Sequence, residues 1–459
     1  MESSRGPADV VVVGGGLVGP LQAIFLAKHG HRVRLYEARD DIRTNKQIGG
    51  RSINLALSVR GREALKAVGV EDIVMEKAIP MYGRMIHSID GKQYSLAYGV
   101  GDQCIYSVDR RALNMLLLDE AEKCDNVELH FSHKLTRVHF SKDDKKSTLV
   151  FSEGKNEEKI NTDFCFGCDG AYSAVRRQMD RQSGLDYSQE YIPHAYKELT
   201  IPADPNTNKY ALEKNYLHIW PRQEFMLIAL PNLDESFTVT LFMPRKIFAG
   251  LNTSDDILRF FEEHFPDVIS KIGRERLVKD FLTNETGKLM SLKCWPHYIE
   301  EGALLLGDAA HAMVPFYGQG MNAGFEDCLV FSELLQQNGD LHKTARLYSE
   351  ERYKDSYAIC DLAMYNYLEM RSHVNNPMFL LRRQLDRYLH HLFPRHFIPL
   401  YTMVSFSRIR YSKVVERAAK QDKLVRRGIQ TVALLGFGTV LSYLLYRYHQ
   451  NITELIFTP

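Results

Sequence analysis

The segment Asp9–Glu37 constrains this chain more than any other. Its opening, Asp9-Val-Val-Val-Val13, is a short β-branched run that predicts a strand buried on both faces. Gly14, Gly16 and Gly19 follow in G-x-G-x-x-G spacing. Pro20–His29 has helical composition, and Arg32–Tyr36 predicts a second strand ending at the acid Glu37. Together these make one βαβ unit of about thirty residues. Gly14 permits the tight turn, Gly16 lets a pyrophosphate approach the backbone, and Gly19 lets helix and strand pack closely. The helix start offers unpaired N–H groups and partial positive charge to phosphates. Glu37 stands where a carboxylate can accept from ribose hydroxyls. The unit predicts a bound dinucleotide and by itself does not separate FAD from NAD.

With 459 residues, 45% hydrophobic and 25% charged, the chain can build two or three domains or one large interleaved unit. The formal charge of +1 hides an asymmetry. Residues 378–427 hold twelve Lys/Arg against three Asp/Glu, so an acidic body precedes a basic C-terminal region. Seven scattered cysteines and no signal peptide predict reduced thiols in a cytosol-facing protein. Cys165 and Cys168 form a lone C-x-x-C pair without a second pair for zinc. They read as buried strand cysteines, and no metal is expected. Gly428–Tyr446 carries no charge, is preceded by Arg426-Arg427 and followed by Arg447. As a helix it would span roughly 28 Å, which predicts a C-terminal membrane anchor. A buried core helix or a membrane-surface helix is the other reading of that stretch.

Along the chain, Arg60–Val68 predicts a short helix ending at Gly69, and Arg84–Tyr98 a hairpin turning at Asp90-Gly91. Asp109 is placed to cap a helix reaching about Lys123. Val127–Phe131, Leu135–Phe140 and Ser147–Phe151 predict strands, and Gly154–Lys159 a solvated turn. Residues 190–245 change to an antiparallel meander. Ser254–Phe265 and Ile269–Phe281 predict helices, Ala303–Leu306 a buried strand, and the chain from Asn322 onward is helical in pattern. The expected boundaries are a discontinuous dinucleotide domain (1–80, 105–185, 290–345) and a substrate domain (81–104, 186–289). A helical region (346–427) and an anchor (428–446) complete the expected order.

Two further segments stand beside the opening motif: Gly167-Cys-Asp-Gly170-Ala-Tyr-Ser-Ala-Val-Arg176, and Gly307-Asp308-Ala-Ala-His311-Ala312 continuing through Pro315 and Gly318-Gln-Gly-Met321-Asn322-Ala-Gly324. In this order the three resemble the single-component FAD-dependent aromatic hydroxylases. The resemblance implies a Rossmann-like FAD-binding domain interleaved with an antiparallel-sheet substrate domain, the aromatic hydroxylase fold. It also decides FAD over NAD. Asp308 would face the flavin's ribityl chain, and the helix start at Gly318–Asn322 its ring, where negative charge develops on reduction. His311 reads as a packed, hydrogen-bonded residue and not as a base. No second G-x-G-x-x-G has strand context, so NADPH is expected to bind transiently.

Arg84–Ser88, Asn215–Arg222, Met364–Arg371 and Phe397–Val404 look like segments of the kynurenine 3-monooxygenase family. That resemblance runs from Val10 to about Tyr446. It implies FAD contacts at Val18, Tyr36, Glu37, Ala38, Arg39, Ala56, Arg110, Leu135, Asp308, Met321 and Asn322, and kynurenine contacts at Arg84, Tyr98, Asn366 and Tyr401. An arginine suits an α-carboxylate bidentately, tyrosines supply hydroxyl donors, and Asn366 can donate and accept. Taken alone, Tyr98 and Tyr401 read as core packing and Arg84 as a surface arginine. Phe316 and Tyr317 read as ring-packing walls or ordinary core. The implied reaction takes L-kynurenine to 3-hydroxy-L-kynurenine in tryptophan degradation. It would use FAD, NADPH and O₂ through a flavin C4a-hydroperoxide and needs no assigned protein base. The implied location is the mitochondrial outer membrane with the body facing the cytosol, and no nucleic acid partner is expected. A membrane-bound flavin hydroxylase or epoxidase acting on an apolar or quinone-precursor substrate is the alternative.

Overall fold

A computed structural model describes residues 6–44, 54–99, 102–141, 146–154, 156–372 and 377–431. The valine run Asp9–Val13 forms the central strand of a six-stranded sheet. It pairs in parallel with Arg32–Tyr36 on one side and Phe164–Gly167 on the other. Val127–His130 and Ala303–Leu305 extend the parallel array, and Tyr298–Ile299 closes one edge antiparallel. Val10, Val11 and Val12 are fully buried, as strands covered on both faces require. The helix Val18–Lys28 crosses over between the first two strands.

Beside this sheet stands a seven-stranded sheet. Its order is Thr286–Trp295, Asp186–Ile201, Phe237–Pro244, Phe225–Pro231, Tyr216–Arg222, Gly83–His87 and Gln93–Ala97. All neighbours are antiparallel except Gly83–His87 and Tyr216–Arg222, which run parallel. The hairpin Gly83–Ala97 is far from the other strands in sequence, so the chain enters this layer early, leaves it and returns. One face of the sheet packs on helices Ser254–His264, Pro266–Ile272 and Arg274–Thr283 through Phe261, Phe265 and Leu277. The other face, with Ile86, Ile219 and Phe242, meets Phe316 and the long helix Leu341–Ser372. The alternation of the strands is what sorts residues to these two faces.

Two sequence expectations need correction. Residues Gly154–Lys159 are not a turn throughout, because Asn156–Thr162 is a strand paired with Ser147–Glu153. It is an edge strand of a three-stranded sheet, and its Glu157, Glu158 and Lys159 are exposed. Charge on an edge discourages pairing with other chains and makes the strand look like a loop. Ile269–Phe281 is not one helix. Gly273, at φ +88°, breaks it into Pro266–Ile272 and Arg274–Thr283. The cap expected at Asp109 is present, its carboxylate accepting from Ala112 N at 2.7 Å. Cys165 and Cys168 are buried free thiols whose pKa burial pushes upward.

After the helix Gly320–Asn338 the chain is mostly helical, through Leu341–Ser372, Pro377–Leu392, Leu400–Ser405 and residues 411–431. Among the described residues no helix is long and apolar enough to cross a membrane. The expected anchor at 428–446 lies outside the described residues from 432 onward, as do Gly49–Ile53 near the start.

Candidate functional site

Two helix starts open on one cavity. Helix Val18–Lys28 begins after Gly14–Leu17, and helix Gly320–Asn338 begins after Gly318-Gln319. Neither has a side-chain cap on its first turn. Gly16, Leu17, Val18, Gly318, Gly320 and Met321 all line the cavity. Uncapped first-turn N–H groups are unpaired donors with a partial positive charge, the arrangement that receives phosphate or another anionic edge. Gly14 stands at φ +110°, and a Cβ there would lie 2.4 Å from the Cys168 carbonyl oxygen. A Cβ on Gly19 would lie 1.8 Å from the Gly14 carbonyl oxygen. A Cβ on Gly16 would meet no protein atom within 4 Å, so this glycine leaves room for a ligand and not for the fold.

The loop is held from both sides. Gly15 N donates to Glu37 Oε2 at 2.6 Å, and Asn114 Nδ2 donates to the carbonyls of Gly15 and Gly16 at 3.0 and 3.1 Å. Arg39 donates from its backbone N and from Nε to Glu37 Oε1 at 3.0 and 2.8 Å. Burial works to raise the Glu37 pKa, but the hydrogen bonds from Arg39 and Gly15 outweigh it and leave the carboxyl below its ordinary value. Glu37 is thus an ionised acceptor at the strand end, beside the exposed Ala38 and Arg39. Asn54, Ala56, Arg110, Gly170 and Asp308 also line this part of the cavity. The Asp308 side chain is open to the cavity yet surrounded by protein. Burial raises its pKa, and His311 and Arg110 nearby pull it back.

The rest of the same cavity is apolar and aromatic, with Leu217, Met226, Ile228 and Phe242 of the large sheet facing Phe316 and Tyr317. Within it sits one buried cation. Arg84, 4% exposed, donates from Nη1 to Glu369 Oε1 at 3.3 Å and from Nη2 to Asn366 Oδ1 at 3.5 Å. Its guanidinium lies 5.0 Å from the Tyr401 ring centre and 5.7 Å from that of Tyr98. Tyr98 and Tyr401 stack at 5.0 Å, and Tyr401 stacks on Tyr317 at 5.6 Å. Burial works to lower the Arg84 pKa, but Glu369 and the three tyrosines hold it above its ordinary value. The buried Tyr98 hydroxyl lies by Arg84 and Tyr401 without a well-aligned hydrogen bond. The bonds from Arg84 to Glu369 and Asn366 are both long, so a ligand carboxylate could offer the guanidinium shorter ones.

Arg84, Tyr98, Asn366 and Tyr401, scattered over more than three hundred residues, therefore meet at one point. Gly16, Val18, Ala56, Arg110, Asp308 and Met321 line the cavity beside them. Tyr36 and Leu135 instead pack in an apolar cluster with Phe151 and Val13. Asn322 is fully buried with its amide committed. It donates to the carbonyls of Ala56 and Gly318 at 2.8 and 2.7 Å and accepts from Ser58 N at 2.8 Å. Its side chain fixes the loop that lines the cavity. His311 bonds Asp327 at 2.6 Å and is buried, a packed residue as the sequence suggested. Sequence reasoning missed Glu369, Asn114, Gln319, Tyr411 and the acids of helix Gly320–Asn338. For Glu369 a signal existed, since it follows Asn366 by one helical turn and so shares its face. A larger surface groove of about 630 Å³ runs past Trp295 and Tyr298. Its Arg346 and Glu300 pair with each other at 2.6 Å.

Comparison with known proteins agrees with this geometry. Residues 7–352 match the FAD binding domain family. Among solved structures, a Klebsiella pneumoniae HpxO complexed with FAD and uric acid superposes with a TM-score of 0.64 at 20% identity, over 83% of this chain and 92% of that one. The 2-methyl-3-hydroxypyridine-5-carboxylic acid oxygenase superposes with a TM-score of 0.65 at 17% identity, over 82% and 96%. These likenesses show the aromatic hydroxylase fold. The glycine cradle, the two uncapped helix starts and the acids at 37 and 308 are the donors and acceptors that FAD requires, so the residues fit that group. The class is a flavin-dependent monooxygenase. Kynurenine 3-monooxygenase of Anopheles gambiae is 51% identical over 437 residues, 94% of this chain and 89% of its own. That of Sus scrofa is 49% identical over 435 residues, 95% and 90%. The chain belongs to the kynurenine 3-monooxygenase family.

The two glycines make opposite predictions. Gly16→Ala should leave urea unfolding of the FAD-free protein within about 0.5 kcal/mol of wild type, the range of a neutral surface change, and abolish FAD retention. Gly19→Ala should destabilise the FAD-free protein itself by about 1–3 kcal/mol. Equal unfolding curves for the two variants would contradict the division of labour.

Proposed function

We propose that this chain hydroxylates L-kynurenine to 3-hydroxy-L-kynurenine, a step of tryptophan degradation, with NADPH as reductant and O₂ as cosubstrate. The observation that carries the reading is the buried Arg84 held among Asn366, Tyr98 and Tyr401, in the same cavity as the cofactor cradle. Bound FAD would supply the redox and oxygen-activating chemistry. The chain's own part is to bind, orient and exclude water. Arg84 can turn its fork to the substrate's α-carboxylate, with Asn366 and the Tyr98 hydroxyl as further partners. Glu369, released from that long contact, is a carboxylate within reach of the α-ammonium. The aromatic and aliphatic walls then receive the aniline ring and keep the reacting carbon away from water. The ring amine itself activates the carbon ortho to it, so the protein need only hold the ring still. No pyridine-nucleotide fold of its own is required if NADPH visits from outside the cavity.

A lipid-sized apolar substrate offers no acceptor to a buried guanidinium, whereas an α-carboxylate offers two oxygens to its fork. The Arg84 cluster therefore favours a zwitterion over a quinone precursor. We further propose that residues 428–446 anchor the protein in the mitochondrial outer membrane with its body in the cytosol. The support is a charge-free stretch of spanning length behind a strongly basic region.

Two expectations follow. NADPH oxidation by the FAD-loaded protein should rise with kynurenine and yield a product one oxygen heavier, hydroxylated at ring position 3. In Arg84→Ala the affinity for kynurenine should fall roughly tenfold to a hundredfold, the worth of a hydrogen bond to a charged group, while FAD stays bound. Kynurenine-independent oxidation without product would sink the reading. For the anchor, a chain ending at residue 427 should leave the membrane pellet in carbonate fractionation. Retention in the pellet would assign the attachment to the basic helices instead.

A further inference from the structure

Arg60 is fully buried and has no part in the chemistry above. It projects from helix Val59–Val68 toward the segment that follows Leu400–Ser405. Its guanidinium serves three acceptors from three places. Nε donates to the Val404 carbonyl at 3.0 Å, Nη2 to the Ile409 carbonyl at 2.5 Å, and Nη1 to Glu326 Oε1 at 2.6 Å. The ring of Tyr411 lies 3.8 Å over the guanidinium. Residues 406–410 are irregular, so carbonyls at their edges lack the partners a continuing helix would give. A buried carbonyl without a donor is costly, and an apolar residue at position 60 could not serve two of them. Lysine could not either, because only the planar fork presents donors in several fixed directions at once.

The second half of the contact points at the cofactor side. The Tyr411 hydroxyl donates to Gln319 Oε1 at 3.0 Å. Gln319 stands between Gly318 and Gly320, both of which line the cavity, and directly before the helix Gly320–Asn338. Tyr401 belongs to the same short segment that Arg60 grips at Val404. Beyond Tyr411, Arg410 Nε and Ser412 N donate to Asp355 at 2.9 and 3.0 Å, which fixes the far side to the long helix Leu341–Ser372. A continuous set of contacts thus runs from the cavity-lining loop at Gln319, through Tyr411 and Arg60, to the short helix that carries Tyr401.

We propose that Arg60 and Tyr411 are positioning residues that clasp the Tyr401 segment to the cofactor loop, so that the substrate seat and the cofactor seat share one placement. For the substrate half this rests on the reading of Tyr401 as a kynurenine contact. For the cofactor half it rests only on Gln319 and its loop. By linkage, a change at the clasp is felt at both seats, and what disturbs one loosens the other.

Tyr411→Phe is the mildest test, because it keeps the ring over Arg60 and removes only the bond to Gln319. Arg60→Lys is the second variant, since it keeps the charge beside Glu326 and loses the grip on the carbonyls. FAD release is followed by the rise of flavin fluorescence after dilution, without substrate. Both variants should release FAD about three- to tenfold faster than wild type, in line with one buried hydrogen bond. With kynurenine, the KM should rise while kcat changes little, and more NADPH should be consumed per product. Combining Tyr411→Phe with Tyr401→Phe should raise the KM by less than the product of the two single effects, because both act through one side chain. Wild-type FAD release in both variants, or independent effects of Tyr411 and Tyr401 on the KM, would overturn the clasp. If the wild type ignores kynurenine, the substrate reading falls, and the release rates still decide whether the clasp holds the cofactor loop.

Discussion

The arrangement depends on a set of charges buried in the middle of helix Gly320–Asn338. Glu326 and Asp327 are 2% and 0% exposed, on a helix covered by protein on nearly every side. Isolated carboxylates there would cost many kcal/mol in lost hydration. Arg352 answers both, donating to Asp327 Oδ1 at 2.8 Å and to Glu326 Oε2 at 2.9 Å. Arg60 takes the other oxygen of Glu326, and His311 and Gly307 N take the other oxygen of Asp327. Burial works to raise the Asp327 pKa, but His311 and Arg352 hold it well below the usual carboxylate range. Each ion is matched, and the partners come from three different elements. The helix can occupy its place only when Val59–Val68, the 307–311 turn and Leu341–Ser372 occupy theirs.

From that constraint the division of the cavity follows. The cofactor side is built mostly from backbone: two helix starts, a glycine cradle and carbonyls tied by Asn114 and Asn322. Backbone donors need a rigid frame, and the ion network beneath them supplies one. The other side is built from side chains carried by three distant elements: Arg84 on the large sheet, Asn366 and Glu369 on the long helix, and Tyr401 near the C-terminal end. Such a seat can change its ligand by changing a few side chains while the cradle stays. This is how a shared flavin frame can serve many aromatic substrates, and why function has to be argued from the site and not from the fold.

What could be read in the sequence divides along the same line. The βαβ unit, the Asp109 cap and the meander are local in origin, so spacing and residue type were enough. The strand Asn156–Thr162 was missed because an edge strand needs no apolar face, and Gly273 was missed because the pattern runs apolar on both sides of it. Arg84, Tyr98, Asn366 and Tyr401 carry no local signal. An arginine in a strand and tyrosines in apolar runs look ordinary until the fold brings them together, and only the family resemblance named them. The ion network was invisible for a related reason. Nothing local in the sequence marks Glu326, Asp327, Arg352 and Arg60 for burial, which tertiary packing decides.

The most direct measurement is a crystal structure of the FAD-loaded chain with kynurenine bound. The account predicts the α-carboxylate on Arg84 with Asn366 and Tyr98 beside it, Arg84 drawn off Glu369, and the aniline ring between the large sheet and the Gly318–Met321 loop. A carboxylate bound elsewhere, with Arg84 still paired to Glu369 and the cavity filled by something else, would contradict it.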